Sequence, residues 1–137
     1  MDNGKSINNK AKSENSFVIH QKLYSLNEVI CANRANRYAG AKLKKEIETS
    51  IGWAIKAAAL KPITNPCVIN IEWHEATKRR DVDNIHSSVK FILDALVKHG
   101  ILKNDSRKYV KQIYHEVIDD TENYVVVRIK ETRNAEK

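Results

Sequence analysis

The chain has 137 residues, 42% hydrophobic and 30% charged, and its 24 Lys and Arg against 17 Asp and Glu leave a formal net charge of +7. With only four Gly and two Pro, this composition fits one folded domain with a sizeable core and excludes a linker-rich or low-complexity protein. No window approaches a membrane span, residues 1–16 lack the apolar segment of a secretory signal, and Cys31 and Cys67 fit no zinc spacing. The expectation is a cytoplasmic protein with buried, inert thiols and no membrane. Its charge suits a polyanion, nucleic acid before an acidic lipid surface.

Residues 1–16 are polar and read as a disordered tail, as do residues 131–137, which leaves a folded domain over 17–130. The tails hold little of the excess charge, so the folded part is the basic part. Phe17 to Tyr24 reads as a first strand. Ser25-Leu26-Asn27 ends it, and a basic loop with Arg34 and Arg37 follows. Leu43, Ile47, Ile51, Ala54, Ile55 and Ala58 recur at spacings of three and four, which predicts an amphipathic helix over roughly 36–60. Pro62 stops it. Cys67 to His74 alternates, with Cys67, Ile69, Ile71 and Trp73 on one face and Asn70, Glu72 and His74 on the other. Glu72 and His74 lie on one strand face just before the next loop and are candidates to support a site there, but lone strand polars are more often solvated and they are read so.

A polar loop then leads to a second helix over 84–99, whose apolar stripe is Ile85, Val89, Ile92, Leu93 and Leu96, with Gly100 as its stop. Tyr109–Ile118 and Tyr124–Lys130 read as two strands. The intervening Asp119-Asp120-Thr121-Glu122-Asn123 makes a hairpin of them, with Asp119 and Asp120 as ordinary turn residues. The order β-α-β-α-β-β predicts an α+β fold, a mixed sheet with two main helices packed on it. The apolar late-strand residues Val125 and Val127 are candidates for a subunit interface.

The chemistry concentrates in Arg79-Arg80-Asp81-Val82-Asp83-Asn84. Asp81 and Asp83 flank one apolar residue, so in an extended chain both carboxylates point the same way. Paired carboxylates repel unless a cation lies between them, and Mg²⁺ takes one or two carboxylates plus waters and substrate phosphate. The plainer alternative is that Asp83 or Asn84 caps the helix. Along this helix Asp83, Lys90 and Asp94 stack on one non-core line, which is also what a solvated face with a Lys90–Asp94 pair looks like. Lys78, Arg79 and Arg80 next to the acidic pair suit a metal nuclease, in which cations hold the DNA backbone and carboxylates hold the metal.

These residues, with Leu93-Asp94-Ala95-Leu96, Gly100 and Asp105, resemble the RusA family of Holliday junction resolvases, and the resemblance spans about 17–130. It implies a homodimeric, Mg²⁺-dependent endonuclease, with Mn²⁺ as a substitute, that resolves four-way DNA junctions by paired nicks. It assigns Asp81, Asp83 and Asp105 as metal ligands and Lys90 as the catalytic lysine. The best-known member has its lysine four residues after the second aspartate. That place is Ser87 here and Lys90 comes at seven, so Lys103 and Lys108 are alternatives for the role. Arg34, Arg37, Lys78, Arg79 and Arg80 would contact DNA. The competing readings are a branched-DNA-binding module without catalysis and, less in keeping with the basic charge, a transferase using Asp-x-Asp for a metal nucleotide.

Overall fold

The computed structural model describes residues 14–24, 26–77 and 81–132, with the backbone alone at Glu14, Leu26, Asp83 and Asn84. In chain order the elements are β1 (Glu14–Ile19), α1 (Leu26–Ala35), α2 (Arg37–Ala58), β2 (Cys67–Glu75), α3 (Val82–His86), α4 (Val89–Lys98), β3 (Val110–Asp119) and β4 (Tyr124–Glu131). This is an α+β fold with a four-stranded mixed sheet in the order β1-β4-β2-β3. No described helix is long and apolar enough to cross a membrane.

The predicted strand and helix order holds, and four local expectations do not. The supposed basic loop after β1 is a helix, α1, with Glu28 in its first turn and Arg34 in its last, the arrangement that suits the helix dipole. Asn36 divides it from α2. Its backbone is extended, and its side chain accepts hydrogen bonds from the N–H groups of Tyr38 and Ala39 at 2.8 and 3.3 Å, capping α2. β1 also begins at Glu14 and ends at Ile19, earlier than the run Phe17 to Tyr24 suggests.

The second predicted helix is broken. Ser87 and Ser88 form a turn between α3 and α4, and the local bonds tighten to three-residue steps, Ser88 N–H to Ile85 and Phe91 N–H to Ser88. Ser88 is fully buried and its hydroxyl donates to the Tyr24 carbonyl at 2.9 Å. A serine that finds a tertiary acceptor has less need of its helical place.

The fourth correction is the hairpin. β3 pairs with β2 in parallel, from Cys67↔Val110 to Glu75↔Asp119, and β4 pairs with β2 on its other side, antiparallel. The link from Asp119 to Tyr124 therefore passes over the end of β2. It is fastened there by Asp120 N–H to the Glu75 carbonyl at 2.9 Å and by Ala76 N–H to Asn123 Oδ1 at 2.8 Å. Strand chemistry explains the placement. Val-rich β4 suits a central position, whereas β3, with Lys111, Gln112 and Glu116 exposed, suits an edge.

The aliphatic core of the sheet lies on one face. Phe17, Ile69, Ile71, Trp73, Val125, Val127 and Ile129 join Ile47, Ile51 and Ile55 of α2 and Ile92 and Leu96 of α4 in one buried cluster. The register puts Asn70, Tyr114, Lys130 and Ser16 on the opposite face, where all four are exposed. Val125 and Val127 are core residues and offer no surface to a second subunit. Cys67 is buried and its thiol is pushed up to about 11 by burial, with Glu131 adding to the effect. Cys31 on α1 is exposed, against the expectation of two buried thiols.

Gly40 is where α2 meets α1. A Cβ there would stand 2.6 Å from both Cα and Cβ of Asn33. In an open helix Gly→Ala stabilises by up to about 1 kcal/mol. Here the clash with backbone reverses the sign, and Gly40→Ala should destabilise by roughly 1–3 kcal/mol, as overpacked sites do. Thermal melting of the variant checks this.

Candidate active site

The chain leaves the sheet at Glu75, whose side chain is buried, and the connection of residues 76–81 leads to α3. Asp81 stands at the start of that helix, its carbonyl accepting from Ile85 N–H at 3.1 Å. Its side chain is exposed. Asp83 lies in the first turn of α3 by its backbone. Lys78, Arg79 and Arg80, expected to contact DNA, lie outside the described residues. Arg34 and Arg37 are exposed at the junction of α1 and α2.

Asp105 is exposed in the connection that enters β3, where Ser106 N–H bonds to Asn104 Oδ1 at 2.9 Å. β2 and β3 are parallel, so the C-terminal end of β2, which Asp81 follows, and the N-terminal end of β3, which Asp105 precedes, lie at opposite ends of the strand pair. Among the described residues, no group of three or more His, Cys, Asp or Glu is placed to hold a metal ion.

The break at Ser87-Ser88 also removes the expected single line of Asp83, Lys90 and Asp94, because helical phase does not carry across it. What remains lies within α4. Lys90 Nζ stands 3.6 Å from Asp94 Oδ2, with both side chains at least half exposed. Such a pair is worth a few tenths of a kcal/mol, so Lys90 is not tied down.

Two clusters that sequence reasoning passed over lie where β2 ends. On the open face, His74 is only 9% exposed. Its Nδ1 lies 2.9 Å from Asp120 Oδ2 and its Nε2 3.1 Å from Glu72 Oε1. Arg128 Nη1 donates to Glu72 Oε2 at 2.7 Å, the Tyr124 hydroxyl donates to Asp120 at 3.2 Å, and the Tyr124 ring stacks on His74 at 4.0 Å. Arg128, and then His74, hold the Glu72 carboxyl below the usual carboxylate range. Thr121 N–H, and then His74, do the same for Asp120. Burial, helped by Asp120, raises the Tyr124 hydroxyl. Asp120 and His74 are therefore parts of a clamp at the exit of β2, not a turn residue and a solvated one. The alternation of the strand put Glu72 and His74 on one face, but only the crossing link could bring Asp120 to them.

On the core face, Trp73 Nε1 donates to His115 Nδ1 at 3.0 Å, and the His86 ring of α3 stacks on His115 at 3.9 Å. The indole thus fixes the His115 tautomer with its proton on Nε2. Burial, with His86 adding to it, pushes His115 down to about 4. This contact ties the short helix carrying Asp83 to the sheet.

The sign of the pH dependence follows. Below the ordinary histidine value of about 6.5 the unfolded chain takes a proton that the folded chain refuses. His115 thus contributes stability in full above about pH 6.5, and this is lost as the pH falls towards 4. His115→Gln retains an acceptor for Trp73 and removes the titration, so its melting temperature should fall less than the parent's between pH 7 and 4.5. His74→Ala should lower stability by about 1–3 kcal/mol at pH 7, the range for leaving buried partners unsatisfied, as read by denaturant unfolding.

The comparison with known families agrees with this architecture. The profile of endodeoxyribonuclease RusA matches residues 5–130, which takes in every strand and helix before the last residue of β4. No curated protein matches the chain. On the strength of a match over nearly its full length, the chain belongs to the RusA endodeoxyribonuclease family.

Proposed function

We propose that this chain is a divalent-metal-dependent endonuclease that resolves four-way DNA junctions by symmetric paired nicks and works as a homodimer. The observation that carries the reading is the family match across residues 5–130, which includes the whole Arg79–Asn84 motif and Asp105. A four-way junction has two-fold symmetry, and a dimer with two identical sites matches it. Asp81, Asp83 and Asp105 are the proposed ligands.

The donor set suits a hard cation such as Mg²⁺. Asp81 and Asp105 are exposed carboxylates with no side-chain hydrogen bond or ion pair among the described residues, so their oxygens are open to a ligand. A bound divalent ion supplies Lewis-acid polarisation of the scissile phosphate and a nucleophile of lowered pKa. The protein's own groups do the rest. Lys90 stabilises negative charge that develops on the phosphate, with Lys103 and Lys108 as alternatives. Lys78, Arg79, Arg80, Arg34 and Arg37 hold the DNA backbone, which positions the duplex without reading its sequence. The clamp of Glu72, His74 and Asp120 fixes where the acidic connection starts.

Asp81→Asn tests the reading. Its carbonyl still accepts from Ile85, so melting should be unchanged. Nicking of a labelled four-way junction in Mg²⁺ should fall by several orders of magnitude, while gel-shift affinity in a chelator holds or rises. Near-normal nicking would remove Asp81 from the site, and absence of nicking by the parent chain would favour the non-catalytic binding module. Junction affinity should also fall steeply with salt, and Arg79→Ala with Arg80→Ala should flatten the log–log slope by roughly two, one for each lost phosphate contact.

A further inference from the structure

The outer side of α2 carries a second feature, which no motif of the family accounts for. Tyr38, Lys42, Lys45, Thr49, Trp53 and Lys56 recur at spacings of three and four, so they form one line along the helix, opposite its buried Ile47, Ile51 and Ile55. All six are exposed. Tyr38 is 78% exposed and Trp53 66%. Lys56 Nζ lies 5.9 Å from the centre of the Trp53 ring. From Tyr38 to Lys56 the ridge runs about 27 Å at the helical rise of 1.5 Å per residue.

The surroundings are shaped for a ligand. On one side of Trp53 a groove of about 270 Å³ is bounded by Lys45, Lys56 and, from the end of α4, Lys98 and His99. Gly52 makes that groove possible, since a Cβ there would stand 2.9 Å from His99 Nε2. On the other side, a hollow of about 540 Å³ opens between α2 and β1. Its walls include the small side chains Ala54, Ala57 and Ala58, and His20 and Gln21 stand at its polar edge. An exposed indole between a cationic groove and a slot with apolar walls is poorly served by water and well served by a flat ring attached to a phosphate chain.

We propose that this ridge binds the DNA strand at the branch, with an unpaired base stacked on Trp53 and the phosphates following Lys42, Lys45, Lys56 and Lys98. Charge complementarity selects the polyanion, because four lysines face the ridge and groove against Glu46 and Glu48. The aromatic ring selects an unstacked base, since the base faces of a continuous duplex are covered by their neighbours. The proposal deepens the reading of the chain as a branched-DNA nuclease by giving it a place to hold an opened strand, and it puts that place on a rigid helix.

The chain contains two tryptophans, Trp53 exposed and Trp73 buried at 1% exposure, so fluorescence separates them. The full chain is titrated in a chelator with a short oligo-dT strand, a four-way junction and a linear duplex. Single strand and junction should quench the exposed-tryptophan emission, and Trp53→Phe should lose the quench. Trp53→Ala should weaken binding of single strand and junction by roughly 5- to 100-fold, the range for removing one base–aromatic stack. Trp53→Phe should bind nearly as the parent, and duplex affinity should change less than about twofold for either. Parent-like junction and single-strand affinity in Trp53→Ala overturns the proposal. So does a quench that survives in Trp53→Phe, or a change in sedimentation with DNA binding intact, which would make the ridge a protein contact. Nicking in Mg²⁺ is read separately. A chain that never nicks but shows the Trp53 effects loses the nuclease reading and keeps the ridge. One that nicks but shows none of them does the reverse.

Discussion

The parallel pairing of β2 with β3 is the constraint on which the rest depends. An antiparallel neighbour can be reached by a tight turn, but a parallel one cannot. From Glu75 the chain must return the length of the sheet before entering β3 at Val110. That return path is the connection 76–81, α3, the Ser87-Ser88 turn, α4 and the loop through Asp105. Every candidate catalytic residue, Asp81, Asp83, Lys90 and Asp105, lies on it. The sheet and α2 form the scaffold, and the crossover carries the residues proposed for the chemistry.

The crossover is fastened differently at its two ends. At the exit of β2, the Glu72–His74–Asp120 clamp and the link crossing over Glu75 and Ala76 hold the strand's last residues. Further on, Ser88 is anchored to Tyr24 and His86 to His115. Between these anchors stand Asp81 and Asp83. The groups that secure the acidic segment are polar and aromatic, in contrast to the Ile-rich core.

How much of this was legible in the sequence depends on the kind of signal. Periodicity gave α2 almost residue for residue, and alternation gave β2 and its two faces. The family resemblance rested on short motifs whose spacing survives in the linear chain, and the match over 5–130 bears it out. Strand order did not show, because a short Asp- and Asn-rich link such as 119–123 looks the same whether it closes a hairpin or passes over a third strand. The helix break did not show either, because the apolar stripe from Ile85 to Leu96 continues through it and the cause, a hydrogen bond from Ser88 to Tyr24, joins residues far apart in sequence. α1 was hidden by its composition, since Asn27, Asn33 and Arg34 read as loop until the packing of Gly40 on Asn33 is seen. The Trp53 ridge was present in the sequence as spacing, but the same spacing attracted attention only for its apolar side.

The two thiols differ in a way that has a practical consequence. Cys67 is sealed in the core with its thiol pushed up to about 11, whereas Cys31 is exposed on α1, one turn before Arg34 and close in sequence to Asn36 and Arg37. Thiolate is the reactive form, so a maleimide dye offered to the native chain attaches at Cys31 and leaves Cys67 untouched. The unaltered protein therefore comes with a single addressable point on the helix that borders the basic junction of α1 and α2. Distances from that point to a dye on a DNA arm would give the orientation of bound DNA without any engineered cysteine.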